Sequence, residues 1–314
     1  MKKFFIFILS LALIVTVFSS CQQPETTQEK DGITVVTTIF PVYDWTCNVA
    51  GDNCNVIYLD ESGTDMHSFE PTAKDILTLA QADVFIHIGG VSDEWVEGAI
   101  ESANNPELIT LSLMDVTGVL EEEIIDGMEH DDDDDHDTAE YDEHIWLSLR
   151  KAKVAVSAIA ETLSKADNAN KDKYTANAEN YNAKLTSLDG KFSDCVNNAK
   201  QKTLLFADRF PFRYFTEDYS LEYFAAFPGC SAESEASFET MTFLIEKTKE
   251  LSLPCILIIE NSDSRIAQTI SNETGAEILS LNSCQSVTKN DIDNGMTYLS
   301  AMEKNLQTIT EALG

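Results

Sequence analysis

Basic residues are scarce in this chain of 314 residues. Lys and Arg together number 21, against 54 Asp and Glu, and the formal net charge is −33. A protein that binds nucleic acid needs a basic face for the phosphates. The composition therefore excludes a nucleic-acid partner, and it favours a surface that attracts cations.

Sequence signatures of two common classes of zinc protein are absent. The chain contains no His-Glu-x-x-His motif and no Cys-x-x-Cys pair. The first absence argues against a metalloprotease of that type, and the second against a small structural zinc domain.

Long apolar runs are missing beyond the N-terminus. After Phe18, no segment reaches the ~18 apolar residues that span a bilayer. This excludes a permease. The hydrophobic fraction of 43% is typical of a folded protein, and the length is sufficient for two cores of ordinary domain size.

The N-terminus is predicted to be a targeting segment. Residues 1–20 begin with two lysines after Met1, continue with an apolar run and end in two serines, which is the pattern of a secretory signal peptide. Cys21 at the cleavage point predicts lipid attachment, and the polar residues 21–32 would form a lipidated tether. A plain signal peptide and an N-terminal membrane helix stay open, because Phe18 stands where lipoproteins prefer Leu.

The remaining chain is predicted to be an α/β protein of two lobes. Strand-like β-branched runs alternate with helical patterns in residues 33–147, and again in residues 201–314. Such alternation predicts in each lobe a mainly parallel sheet flanked by helices. Residues 148–200 have helical periodicity throughout and would form a helical linker.

An acidic loop interrupts the first lobe at residues 121–143. It contains no Lys or Arg, and five consecutive Asp residues, 131–135, stand between His130 and His136. Such blocks repel themselves, so disorder is expected. The loop would help to collect metal or would be a solvated insertion without a role. A calcium loop is a third alternative, although the EF-hand Gly and terminal Glu are missing.

Two histidines are candidate metal ligands. His67 lies in the sequence Gly-Thr-Asp-Met-His-Ser-Phe-Glu-Pro, residues 63–71, which follows a strand-like run at 55–59. A loop at the end of a strand is where open α/β sheets place ligands. His144 follows the acidic loop and begins the next helical pattern.

These two segments resemble the metal-binding lipoproteins that supply zinc or manganese to ABC importers. Residues 63–71 match that family's Gly-x-Asp-x-His-x-x-Glu-Pro motif, and residues 144–147 match its His-x-Trp-Leu motif. Residues 83–95 and 297–306 are also similar to segments of the family. The resemblance covers nearly all of the chain after about residue 33.

The resemblance implies a receptor and not an enzyme. Such a protein captures Zn²⁺, or alternatively Mn²⁺, between two lobes joined by one long rigid helix. It then delivers the ion to an ABC permease. It would be an extracytoplasmic monomer anchored to the membrane through the lipid on Cys21. The alternatives are a secreted metalloenzyme, because histidines and carboxylates also activate water, and a surface adhesin.

Two imidazoles are too few for a tight site, so the second lobe is expected to supply further donors. The family places a third ligand three residues before a Phe-x-Tyr sequence, and that position is Arg209 here, which cannot ligate. Asp208, after a predicted strand at 203–207, is the substitute that we predict. Its alternative roles are pairing with Arg209 and capping the next helix.

The fourth ligand of the family is an Asp near the final strand, but Asn282, Ser283 and Cys284 stand there in this chain. We predict that Glu260, at the end of the strand 255–260, takes its place; alternatively it orients a histidine. Zinc is favoured over manganese by the imidazoles. Weaker candidates for this position are Glu233, Glu235 and Cys284, and His87 is predicted to be a wall residue.

Seven cysteines remain to be explained. Removal of Cys21 leaves an even number in an exported chain, which is consistent with disulfides. Cys47 and Cys54 flank a turn and are close enough in sequence to bridge. The pairing stays open, and a reducing habitat would leave the thiols reduced. The other four are Cys195, Cys230, Cys255 and Cys284.

Overall fold

The computed structural model describes residues 32–129, 141–231 and 235–314. These residues form two four-stranded sheets in which neighbouring strands are parallel, with helices around them. The prediction of an α/β protein with a mainly parallel sheet in each lobe is confirmed. The signal peptide, the tether and Cys21 lie outside the described residues.

The first sheet has the strand order β2-β1-β3-β4. The β-branched run at the start of this lobe pairs with strands on both sides and so forms the centre of the sheet. The elements of the first lobe are β1 Ile33–Thr37, α1 Phe40–Ala50, β2 Cys54–Tyr58, α2 Ala73–Leu79, β3 Val84–His87, α3 Trp95–Ala103, β4 Ile109–Ser112 and α4 Leu113–Thr117.

Two antiparallel helices connect the lobes, α5 Leu149–Ala166 and α6 Lys171–Asn198. The second has 28 residues and is therefore about 42 Å long. It packs against α5 and α1. Buried aromatic residues follow its inner face at helical spacing, at Tyr174, Tyr181 and Phe192. This is the long helix that the family resemblance implies.

The second sheet repeats the topology of the first, with the order β6-β5-β7-β8. Its first strand is longer than predicted: it continues past residue 207 to Phe210, with an irregular register between Phe206 and Arg209. The elements are β5 Thr203–Phe210, α7 Arg213–Tyr219, β6 Glu222–Pro228, α8 Phe238–Glu250, β7 Cys255–Ile259, α9 Arg265–Thr274, β8 Glu277–Leu281, α10 Lys289–Asp293 and α11 Tyr298–Leu313.

One buried apolar cluster extends through both lobes and the connecting helices. Trp45 of α1 packs edge-on against Tyr298 of α11, with ring centroids 5.1 Å apart. The lobes therefore share a core, and the boundaries at residues 147 and 200 stay predictions. Within the described residues, no helix combines the length and the apolar character that a bilayer span requires.

The acidic loop is ordered at its base. Glu121 and Tyr141 form an antiparallel bridge, and Met128 is buried in the core. The disorder was predicted for the acidic block 131–135 and stays a prediction, whereas Met128 anchors the preceding residues of the acidic stretch. The five Asp residues with His130 and His136 lie outside the described residues.

The six cysteines of the described residues form no disulfide. Cys54 is buried at the start of β2, with its Sγ 3.3 Å from the Tyr174 hydroxyl. Cys47 lies on α1, and the bridge between these two that the sequence allowed is not formed.

A buried carboxyl group in α1 makes stability depend on pH. Asp44 accepts a hydrogen bond of 2.8 Å from the Tyr181 hydroxyl. Burial raises the pKa of Asp44 to about 6, against the lowering effect of that hydrogen bond. Because the pKa is higher in the folded state than in the unfolded state, the stability that Asp44 contributes is lost as pH rises through about 6.

We expect Asp44→Asn to remove this dependence. The variant should gain up to about 3 kcal/mol of unfolding free energy relative to the wild type between pH ~4 and pH ~7, because the amide is never charged. Urea unfolding at both pH values measures the difference. Asp194→Asn, at an exposed position of α6, is the matched control. If the difference in unfolding free energy between Asp44→Asn and the wild type does not change with pH, Asp44 is not the source of the pH dependence.

Candidate metal centre

The carboxyl ends of both sheets open into one cavity of about 490 Å³. From the first lobe it is lined by Asp65 and His67, and from the second by residues that follow or end β5, β6, β7 and β8. This is the edge at which open parallel sheets bind ligands.

His67 is held in a short 3₁₀ turn, Met66–Ser68, that follows β2. The Asp65 carboxylate begins the turn by accepting a hydrogen bond from the His67 backbone N–H at 3.1 Å. The Nδ1 atom of His67 lies 2.7 Å from Ser92 Oγ and 3.3 Å from Glu143 Oε1. One nitrogen of the ring is thus occupied by partners that fix its orientation.

His144 is completely buried. The Asp142 carboxylate accepts a hydrogen bond from the backbone N–H of His144 at 2.8 Å and lies 3.1 Å from its Nδ1. As with His67, a carboxylate partner orients the ring and leaves Nε2 for another ligand.

Residues of the second lobe hold the His144 segment. Tyr214 donates its hydroxyl hydrogen to the Asp142 carbonyl at 2.5 Å. The Trp146 indole donates to the Ser283 carbonyl at 2.7 Å, and the Tyr298 hydroxyl donates to the Trp146 carbonyl at 2.5 Å. These bonds are buried, so the position of His144 depends on both lobes.

The two imidazoles converge, as the sequence predicted. Their ring centroids are 5.5 Å apart. Both Nε2 atoms are buried and have no hydrogen-bond partner among the described residues. Buried polar atoms are nearly always paired. Two orphaned imidazole nitrogens on rings this close together therefore indicate a ligand that accepts nitrogen donors, which is the chemistry of a transition-metal ion.

Cys230 is a third donor that the sequence analysis did not place in the site. It follows β6, and its Sγ and one ring nitrogen of each histidine all lie within 4.8 Å of one another. Sequence reasoning counted it only as a possible disulfide partner. The sequence did contain a signal for its place in the site. Cys230 comes shortly after a strand of the second lobe, and the ends of strands line such clefts.

Gly229 makes this approach possible. A Cβ atom at this position would lie 2.9 Å from the Phe210 carbonyl oxygen and 3.0 Å from His144 Cε1. Any larger residue would push the end of β6 away from the His144 ring, and Cys230 with it.

Acidic groups set the electrostatics of the centre. Burial alone would raise the pKa of Glu143, but hydrogen bonds from His67 and Ser92 hold it below its usual value. Burial alone would lower the pKa of His144, but Asp142 raises it above its usual value. Burial and three nearby carboxylates raise the pKa of Cys230. A divalent cation reverses this effect on a thiol that it binds.

The carboxylates predicted as ligands line the same cavity, but other partners hold them. Asp208 accepts hydrogen bonds from the backbone N–H groups of Arg209, at 2.8 Å, and Ile259, at 3.3 Å. Glu260 accepts two bonds of 2.6 Å from the N–H and the hydroxyl of Ser283. Neither belongs to the three-donor group, and their role as ligands stays a prediction.

Arg209 pairs with the first lobe. Its Nη2 lies 2.7 Å from Asp65 Oδ2, on the loop that carries His67. The sequence analysis gave an ion pair between Arg209 and Asp208 as an alternative. The Arg209 side chain instead forms an ion pair across the cleft with Asp65. This guanidinium occupies the position where the family motif would supply a ligand.

The weaker candidates among the described residues do not belong to the group of three donors. His87 contacts Asp93 at 3.3 Å and stacks on Phe85, and its role as a wall residue stays a prediction. Glu235 is exposed and pairs with Arg265. Cys284 is fully buried in the core, and Glu233 lies outside the described residues.

Comparison with known proteins identifies related sequences. The profile of the family described as "Zinc-uptake complex component A periplasmic" (ZnuA) matches residues 35–312. The zinc-binding lipoprotein AdcA of Streptococcus pneumoniae is 32% identical over 316 residues, which cover 99% of this chain and 61% of AdcA. The high-affinity zinc uptake system protein ZnuA of Bacillus subtilis is 29% identical over 286 residues, which cover 90% of this chain and 88% of that protein.

A solved structure has the same fold. The Zn(II)-bound ZnuA-like domain of Streptococcus pneumoniae AdcA is 31% identical and superposes with a TM-score of 0.73. The match covers 90% of this chain and 99% of that domain. The chain spans about three-fifths of the length of the AdcA proteins that it matches.

Proposed function

The chain belongs to the ZnuA family of periplasmic zinc-uptake components, and on this basis we propose that it is an extracytoplasmic solute-binding protein for Zn²⁺. It captures the ion between its two lobes and delivers it to the permease of an ABC importer. The observation that carries this proposal is the pair of buried, unpartnered Nε2 atoms of His67 and His144.

These two histidines are the proposed ligands from the first lobe. Each ring is oriented through Nδ1 by an oxygen partner, which fixes Nε2 as the donor for the metal. Imidazole donors favour zinc over the harder manganese ion, for which oxygen donors are preferred. Mn²⁺ is the alternative cargo.

The alternatives have less support. The prediction that the chain is not an enzyme agrees with its membership of a family of transport components. The relatives named above are described by zinc binding and zinc uptake, which leaves the surface adhesin less supported.

The N-terminus and the relatives support a location outside the cytoplasmic membrane. A lipid on Cys21 would anchor the chain outside the cytoplasmic membrane, with residues 21–32 as the tether. The AdcA relative is called a lipoprotein, which supports this anchor. We propose a monomer, since one chain supplies the whole histidine pair.

Calorimetric titration of the purified chain tests the proposal. We expect one Zn²⁺ per chain and tighter binding of zinc than of manganese. The affinity should fall from pH ~8 to pH ~6, because Asp142 raises the pKa of His144 and protons compete with the metal for its ring. Absence of zinc binding at pH ~8, or equal affinity for zinc and manganese, would contradict the proposal.

A further inference from the structure

We propose that Cys230 is the third protein ligand of the metal and that its sulfur makes the site select Zn²⁺ against Mn²⁺. The proposal rests on the proposed function, since it concerns the ligand set of the same ion. The centre would then have two nitrogen donors from the first lobe and one sulfur donor from the second.

The geometry of the three donors is close to that of a zinc site. Zinc binds imidazole nitrogen at about 2.0–2.1 Å and thiolate sulfur at about 2.3 Å, so tetrahedral donors lie about 3.5 Å apart. Cys230 Sγ and one ring nitrogen of each histidine lie within 4.8 Å of one another. A shift of about 1 Å in the loops that carry them would bring them to bonding distance.

The surroundings of Cys230 favour this role over a structural one. The cysteine forms no disulfide and is only half-buried, at the wall of the cavity. Its Sγ lies 3.6 Å from Glu143 Oε1, the same oxygen that contacts His67 Nδ1. The thiol therefore belongs to the hydrogen-bond network that orients the histidines, and Gly229 keeps its loop against the His144 ring.

Cys230 also supplies a donor atom for the metal, whereas the neighbouring residues of the second lobe are engaged with other partners. Arg209 is cationic and paired with Asp65. Asp208 accepts hydrogen bonds from two backbone N–H groups, and Glu260 accepts two from Ser283. Both carboxylates are thus held by other partners, and neither belongs to the group of three donors that contains Cys230.

The chemistry of sulfur determines the selectivity. As the metal binds, the thiol loses its proton to water and the thiolate forms the metal–sulfur bond. Thiolate is a soft donor that suits zinc, whereas manganese prefers carboxylate, carbonyl and water oxygens. A site with a thiolate ligand therefore binds the softer Zn²⁺ in preference to the harder Mn²⁺.

Cobalt substitution tests the proposal, because thiolate bound to Co²⁺ produces a charge-transfer absorption band in the near ultraviolet. We expect this band in the wild-type protein and in Cys195→Ser, whose thiol on α6 lies beside Thr310. In Cys230→Ser, Co²⁺ should still bind, without the band. The preference for zinc over manganese should fall by at least about tenfold in that variant.

The outcomes separate this proposal from the function itself. A wild-type complex with Co²⁺ that lacks the band, or a Cys230→Ser complex that keeps it, overturns the role of Cys230 and leaves zinc capture by the histidines intact. If the wild type binds neither Zn²⁺ nor Co²⁺, the role of Cys230 and the proposed function are both overturned. If Cys230→Ser does not fold, alkylation of the wild type decides: zinc should protect Cys230 and not Cys195, and equal protection contradicts the proposal.

Discussion

Replacing His67 or His144 by alanine is expected to lower the affinity for zinc by more than about a hundredfold. Loss of a residue that merely orients a metal ligand already costs about 10- to 100-fold, and these variants remove a ligand itself. Both Nε2 atoms are buried without a partner among the described residues, as expected of atoms that bind the ion directly. Competition with a chromophoric chelator measures the affinity.

His87→Ala is the matched control for this experiment. His87 also lies at the carboxyl end of a strand of the first sheet and also has a carboxylate partner, Asp93. It lies outside the three-donor group, so the variant should bind zinc as the wild type does. Wild-type affinity in both His67→Ala and His144→Ala would refute the site, whereas an equal loss in His87→Ala would indicate damage to the fold.

Replacing Glu143 by glutamine is expected to weaken zinc binding by about 10- to 100-fold. The carboxylate is almost completely buried. It accepts hydrogen bonds from the Ser92 N–H at 3.0 Å and the Ser92 hydroxyl at 2.5 Å, and it contacts His67 Nδ1 and Cys230 Sγ. In the variant an amide NH₂ replaces one acceptor oxygen, so at least one of these donors loses its partner.

The effect should act through the position of His67. Ser92→Ala removes one of the two partners of the His67 ring and should give a smaller loss than Glu143→Gln. Glu97→Gln, at an exposed position of α3, should leave the affinity unchanged. The ligands themselves are present in all three variants, and full stoichiometry is therefore expected. Unchanged affinity in Glu143→Gln would show that His67 is held without it.

Much of the fold could be predicted from the sequence because it depends on local patterns. Alternation of β-branched runs with helical periodicity indicated parallel sheets, and the two histidine motifs indicated which loops carry donors. Local composition did not show which residue of the acidic stretch is buried in the core, and the structure shows that it is Met128.

The ligands from the second lobe could not be predicted in this way. Which strand end faces His144 depends on the order β6-β5-β7-β8, and a single sequence does not reveal that order. Cys230 comes near because β6 is the neighbour of β5 and because Gly229 fits against the ring. The partner of Arg209 is likewise a residue of the other lobe, Asp65, which no spacing along the chain indicates.

The hydrogen bonds that hold the His144 segment have a consequence for release of a bound metal ion. By sequence His144 belongs to the first lobe, but Tyr214, Tyr298 and the Ser283 carbonyl fasten its segment to the second. The loop that carries His67 is linked to the second lobe by the partly exposed ion pair of Asp65 with Arg209. A sliding movement of the lobes that breaks this ion pair would therefore move the two imidazoles apart. Release of an ion held between these imidazoles would then need only a small displacement and no wide opening of the cleft.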